Sequence, residues 1–279
     1  MPPIRRWTIL VLCLAAVASG PSTARSAENG GTEPVAGSAE SFVRDGQLDL
    51  EAVVEYFEDL YRSESSTSTI KMIVTRPRRT RTVTMKAWTR GKEKTLIVLQ
   101  SPPREEGTAT LKVEDNLWNY FPRIRRTIRI PPSMMLSSWM GSDFTNDDLV
   151  RESSYSEDYT YELRGRTEDP DGWKIRFVAK PDVVGLWNSF ELIVSPDGRI
   201  PLEATYYDRK DRLARTLRWS EVKVFDGRRI PARLTLIPVD KNEDVEGIRY
   251  KTELIYLEMD FDADVPEHTF SLSRLERKR

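Results

Sequence analysis

Residues 79–90, RTRTVTMKAWTR, decide the fold class. On an extended chain Val83, Met85 and Ala87 fall on one face, and Thr82, Thr84 and Lys86 on the other. A period of two with one apolar face marks a half-buried antiparallel strand. The same period recurs on both sides. STIKMIVTR (68–76) precedes it; KTLIVLQ (94–100), GTATLKVE (107–114), NLWNYFP (116–122) and RRTIRI (125–130) follow. A second series runs YTYELRGR (159–166), WKIRFVAK (173–180), SFELIVS (189–195), RIPLEATYYD (199–208), LARTLRWSEV (213–222), RIPARLTLIP (229–238) and IRYKTELIYLEMD (248–260). Asp171-Gly172, Asp197-Gly198 and Asp226-Gly227 stand between neighbouring runs, where glycine accepts the positive φ of a tight hairpin. Such a meander of about a dozen or more short strands, without a fixed-period repeat, implies one large antiparallel sheet that must curl, partly close or be covered. The fold class is mainly β, with a minor helical part.

Two segments depart from the strand period. In LDLEAVVEYFEDLYRS (48–63), Leu50, Val53, Val54, Phe57, Leu60 and Tyr61 recur at helical spacing, with Asp49 as N-cap. In SMMLSSWMGSDFTNDDLV (133–150), Pro131-Pro132 ends the preceding strand and Ser133 is placed to cap a short helix. Met135 and Trp139 are four apart, as are Leu136 and Met140, and Gly141 is a stop. A polar turn follows, in which Thr145 and Asp148 read as a capping pair opening a second short helix. Methionine adapts to irregular apolar partners. The segment is therefore either a lid over a cavity or a plug that fills it.

The amino terminus belongs to neither pattern. Arg5 and Arg6 precede the apolar run WTILVLCLAAVASG (7–20), and Ser22-Thr23-Ala24 offers small residues for cleavage after Ala24. Residues 1–24 are expected to be a cleavable signal peptide, 25–46 a Gly/Ser/Ala/Glu-rich flexible leader, and 47–279 one domain. The single cysteine, Cys13, lies in the apolar run without a lipidation pattern, so an exported mature chain relies on its core rather than on disulfides.

The remaining composition excludes more than it assigns. Lys plus Arg is 43 and Asp plus Glu 44, a balance that argues against nucleic acid and against strong capture by an anionic membrane. His268 is the one histidine, so a structural zinc site or a Cys-His nucleophile is not expected, nor is any metal or cofactor. Asp143, Asp147 and Asp148, and Asp260, Asp262 and Asp264, form acidic clusters that could serve glycoside hydrolysis or bind Ca²⁺, but they read better as a helix start and a strand exit. RPRRTR (76–81) and RIRR (123–126) are basic clusters, read as solvated turns in preference to lipid-headgroup or acidic-partner contacts.

The stretch GTATLKVEDNLWNYFPRIRRTIRIPPSMMLSSWMGSDFTNDDLV (107–150) resembles the LolA-like family of outer-membrane lipoprotein-sorting proteins, in a sister branch carrying the PPSMM…SWMGSDFTNDDL pattern. MKAWTRGKEKTLIVLQSPPREEGTATL (85–111) and the hairpins up to PEHTFSLSRL (266–275) extend the similarity over nearly the whole mature chain. The resemblance implies an incomplete β-barrel with helices inside or over its mouth, in a periplasmic, non-enzymatic carrier of a lipid, lipoprotein acyl chain or other amphiphile. The segment that would meet the ligand is Met134, Met135, Leu136, Trp139, Met140 and Phe144. A monomer is expected, exchanging its cargo with an inner-membrane transporter or outer-membrane acceptor. The other readings are an accessory or sensor domain docked on an envelope transporter, and a carboxylate-based hydrolase.

Overall fold

The computed structural model describes residues 41–150, 155–181, 183, 187–242 and 247–276; the stretch read as signal peptide lies outside them. In chain order the elements are β1 (Val43–Arg44), β2 (Gln47–Leu48), α1 (Leu50–Glu58), β3 (Ser65–Arg76), β4 (Arg79–Arg90), β5 (Lys94–Ser101), β6 (Ala109–Val113), β7 (Asn116–Phe121) and β8 (Arg126–Arg129). There follow α2 (Asp147–Val150), α3 (Tyr155–Asp158), β9 (Tyr159–Glu168), β10 (Asp171–Ala179), β11 (Trp187–Val194), β12 (Pro201–Asp208), β13 (Leu213–Phe225), β14 (Arg228–Pro238), β15 (Lys251–Asp260) and α4 (Leu272–Glu276). Every run read above as a strand falls on one of β3–β15.

These strands form one 13-stranded antiparallel sheet in the order β8-β7-β6-β5-β4-β3-β15-β14-β13-β12-β11-β10-β9. Two meanders meet where β3 pairs with β15, Thr75 opposite Lys251 and Thr67 opposite Asp260. The edges β8 and β9 stay apart, so the sheet is not a closed barrel. It is strongly curved, because side chains from β3–β5 and from β11–β15 line one common space. Among the described residues no helix is long and apolar enough to cross a membrane.

Period-two alternation decides what each face buries. On the concave side Met72, Val83 and Met85 are fully enclosed. On the convex side Leu96, Val98 and Leu111 are covered by Val265, Phe270 and Leu275 from the C-terminal segment. Helix α1 closes part of the concave side. Asp49 caps it as expected, its Oδ1 accepting from the Ala52 amide at 3.2 Å. Val53 and Val54 bury against a core containing Ile175 and the stacked rings of Phe177 and Phe190, 4.4 Å apart. Residues 41–46, read as the end of the leader, belong to the fold instead. The Phe42 amide donates to the Asp197 carbonyl at 3.0 Å, and the Arg199 guanidinium lies 4.2 Å from the Phe42 ring.

The turns follow their glycines with one exception. Asp226 and Gly227 take φ of 45° and 76°, the two positive values that a two-residue hairpin needs. Asp171-Gly172 is not a turn: Asp169-Pro170 turns the chain, and Asp171 already pairs with Glu168. Gly172 serves close approach, since a Cβ there would stand 2.0 Å from the Val194 carbonyl oxygen.

The larger difference concerns residues 133–146. They do not form a two-turn helix. After one 3-10 turn at Pro132–Met134 the chain folds back on itself. The Asp147 amide donates to Met135 O at 2.9 Å, the Asn146 amide to Ser137 O at 3.0 Å, and the Trp139 amide to Phe144 O at 2.8 Å. So short a helix is marginal without packing on a long apolar stripe. Here Ser138 and Ser142 hydroxyls take backbone carbonyls, and Met140 and Gly141 turn the chain at positive φ. The expected capping pair is present: Asp148 accepts from the Thr145 amide at 2.8 Å, and Thr145 Oγ1 from the Asp148 amide at 3.2 Å.

Topology explains why the strand series is interrupted there. The chain must pass from edge β8 to edge β9. The connector between them lays Trp139 and Asp148 against the concave face before the chain reaches Tyr155.

Candidate functional site

Between the sheet, α1 and the connector lies a cavity of about 460 Å³. Its lining is graded along the strands. Ser66 of β3, Thr89 of β4 and Thr95 of β5 form one row across three neighbouring strands, since Ser66 pairs with Thr89 and Thr89 with Thr95. Two residues further along lie Ser68, Ala87 and Ile97, and then Ile70 and Met85. Gly91, Glu58 and Arg62 line the polar end; there Lys92 of the β4–β5 turn reaches Glu58 of α1 at 3.5 Å. The other end, mostly apolar, runs under Trp139, Phe144 and Leu149 of the connector and against Leu217, Leu254 and Tyr256, with Asp147 and the Asp148–Arg215 ion pair also in its wall. The space therefore offers hydroxyl groups at one end and a mostly apolar wall with one buried ion pair at the other.

Three anchors hold the connector over that space. Trp139, 2% exposed, packs among Ile70, Met85 and Ile97, and its Nε1 donates to Thr110 Oγ1 at 3.1 Å. The fully enclosed Asp143 carboxylate accepts from Arg76 at 2.9 and 3.1 Å, from Lys241 at 2.9 Å and from Thr252 at 2.8 Å. Asp148 accepts two bonds from Arg215 of β13, both 2.8 Å. Arg215 is itself layered between Trp187 and Tyr206, 4.2 and 4.6 Å from the ring centroids. Burial pushes the Asp148 carboxyl up, but the Arg215 charge and hydrogen bonds, with those of Thr145, outweigh it and hold the group below the ordinary carboxylate value. Burial raises the Tyr61, Tyr155 and Tyr206 phenols, so they stay neutral on the cavity wall.

Of the residues singled out from sequence, Trp139 and Phe144 line the cavity. Met140 packs against the same core but faces a separate recess beside Arg76 and Arg81. Met135 packs on Leu117 and Ile130. Met134 and Leu136 point to solvent, 47% and 59% exposed. Of the acidic residues, Asp143 and Asp148 are committed to the anchors just described, Asp147 lines the cavity, and Asp260 accepts from the Asp262 amide at the strand exit. His268 is exposed on a 3-10 turn. Among the described residues no three His, Cys, Asp or Glu side chains are placed to hold a metal ion. The row Ser66–Thr89–Thr95 went unread in the sequence. Its signal was present: hydroxyl residues on the same parity as Ile70, Met72, Val83, Met85, Ala87 and Ile97.

A family model whose description reads only "uncharacterized protein" matches residues 91–277. No curated protein matches the chain. Among solved structures, a DUF1329 family protein from Desulfovibrio piger is 24% identical with a TM-score of 0.71, covering 81% of this chain and 98% of that one. A domain assigned to outer-membrane lipoprotein sorting from Vibrio parahaemolyticus is 21% identical, with a TM-score of 0.68, covering 81% and 99%. A LolA superfamily protein from Nitrosomonas europaea is 19% identical, with a TM-score of 0.64, covering 80% and 98%. At these identities the structural likeness shows a shared fold.

Proposed function

From a chain that belongs to the LolA-like family, we propose a non-covalent carrier or binding protein for a lipid, a lipoprotein acyl chain or a related amphiphile. The observation that carries this reading is the graded cavity, with the Ser66–Thr89–Thr95 row at one end and Ile70, Met85 and Trp139 at the other. The chain end of the amphiphile lies under the connector, and its polar end meets the hydroxyl row near Glu58 and Arg62. Burial of hydrocarbon supplies the affinity, at roughly 0.8 kcal/mol per methylene. The hydroxyl row accepts or donates to the head without fixing a charge, which suits release as well as capture. No bond is made or broken in this scheme.

The names of two structural neighbours support the same direction: one is assigned to outer-membrane lipoprotein sorting, the other to the LolA superfamily. With the signal-like residues 1–24 they favour a place in the periplasm, with exchange partners in the envelope membranes.

The test is displacement of an environment-sensitive fluorescent fatty acid from the purified protein. The proposal expects saturable binding that Ala87→Trp abolishes while the fold is retained, because Ala87 faces the middle of the cavity. Absence of saturable binding to the wild-type chain would refute it.

A further inference from the structure

The balanced charge of the whole chain conceals a one-sided distribution along the sheet. Turns β3–β4, β5–β6 and β7–β8 all lie at the same end of the N-terminal half-sheet, because β3 to β8 are consecutive antiparallel neighbours. They carry the exposed residues Arg78 and Arg79, then Arg104, then Arg123, Arg125 and Arg126. Against six arginines these turns hold two glutamates, and Glu105 is already taken by Arg81 and Arg104. Among the described residues Arg78, Arg79, Arg123, Arg125 and Arg126 make no ion pair. Six strands at about 4.8 Å spacing spread this charge over a rim roughly 24 Å long.

Apolar side chains interrupt the charge at one place. Ile124, at the tip of the β7–β8 turn, is 60% exposed, and Phe121 and Ile128 flank it on the two strands, also exposed. Edge strands are commonly guarded by charge. Guarding the β8 edge explains Arg126 and Arg129, but not an isoleucine at the most prominent point of the hairpin. A surface for a folded protein gathers its apolar residues into a central patch with charges outside. Here they alternate singly with arginines along a turn, as in segments that sit at a lipid interface with apolar groups inserted and cations at the headgroups. Between the first two turns a recess of about 310 Å³ is lined by Arg76, Arg79, Arg81 and Arg104 together with Glu105; Arg79 is the one of these arginines that makes no ion pair among the described residues.

We propose that this rim docks the protein on an anionic phospholipid surface, with Ile124 inserted and Arg123, Arg125 and Arg126 on the headgroup phosphates. The rim lies at the opposite end of the strands from Gly91 and the polar end of the cavity.

The test is co-sedimentation of the full mature chain with vesicles of phosphatidylcholine alone and of phosphatidylcholine mixed with phosphatidylglycerol. Three variants accompany it: R123Q/R125Q/R126Q, I124S, and a control with the same charge change elsewhere, R44Q/R164Q/R229Q. The proposal expects binding to the anionic vesicles only, weakened by salt. It expects a loss of about fivefold per rim arginine removed, thus about a hundredfold in the triple variant. I124S should also bind more weakly, and the control should bind like the wild type. Fatty-acid loading, which reads the cavity, should be equal in all four proteins. Equal binding to both vesicle types, equal losses in rim and control variants, or no vesicle binding overturns the proposal. Capture of an acidic protein by a crosslinker at position 124 in place of vesicle binding overturns it as well.

Discussion

Asp148 and Arg215 meet side chain to side chain through two parallel hydrogen bonds of 2.8 Å, joining the connector to β13 across the concave face. Both groups are largely buried, so the value of the pair lies less in attraction than in what breaking it leaves behind. Asp148→Asn should destabilise the fold by about 3 kcal/mol, because Arg215 then keeps a buried charge without its counter-ion. Asp148→Asn combined with Arg215→Met should recover most of that loss. Urea unfolding of the four proteins gives the coupling; additive losses would show that the pair does not act as a unit.

The same pair sets an acid limb. Asp148 titrates lower in the folded chain than in the unfolded chain. Its stabilising contribution is therefore full above the unfolded value, about 4, and is lost as pH falls through the folded value. The stability gap between wild type and Asp148→Asn should be constant from neutrality to about pH 5 and should shrink below about pH 4. Urea midpoints across that range check this; a gap that widens on acidification would reverse the assigned sign.

Trp139 holds the connector by packing and by one hydrogen bond. Trp139→Phe removes the bond to Thr110 and should cost about 1 kcal/mol. Trp139→Ala also empties its place in the core and should cost about 3–5 kcal/mol. Met134→Ser and Leu136→Ser should change stability by less than about 0.5 kcal/mol and leave fatty-acid affinity unaltered, since both side chains face solvent. Loss of affinity in either serine variant would bring the exposed part of the segment back into the site.

Two glycines separate crowding from conformation. Gly172→Ala forces a Cβ to 2.0 Å from a backbone oxygen and should cost about 3 kcal/mol. Gly227→Ala meets no atom within 4 Å but keeps a φ of 76°, and should cost about 1 kcal/mol. Thermal unfolding that ranks them the other way would contradict the described β10–β11 approach.

The strands were legible because each carries its own alternation, and RTRTVTMKAWTR needs no partner to be read. Asp226-Gly227 was equally local. The pairing of β3 with β15, which joins the two meanders, was not legible, because nothing in STIKMIVTR names a partner about 180 residues away. The four-residue spacing of Met135 and Trp139 suggested a helix, but Ser138 and Ser142 fold the chain back locally, and the anchors that hold it there, Thr110, Arg76, Lys241 and Arg215, are remote in sequence. From the residues alone the connector read as either a lid over a cavity or a plug, and the family resemblance favoured the cavity. Its polar row was missed because each hydroxyl is ordinary in its own strand and becomes informative only across the register.

Native mass spectrometry of the mature chain, purified without detergent from a bacterial periplasm, tests the central claim most directly. The account predicts a mass excess that gentle activation releases as an acyl-bearing amphiphile, and no such excess on Ala87→Trp, whose added ring occupies the cavity. A wild-type chain of bare polypeptide mass that also fails to take up added acyl lipid would contradict it.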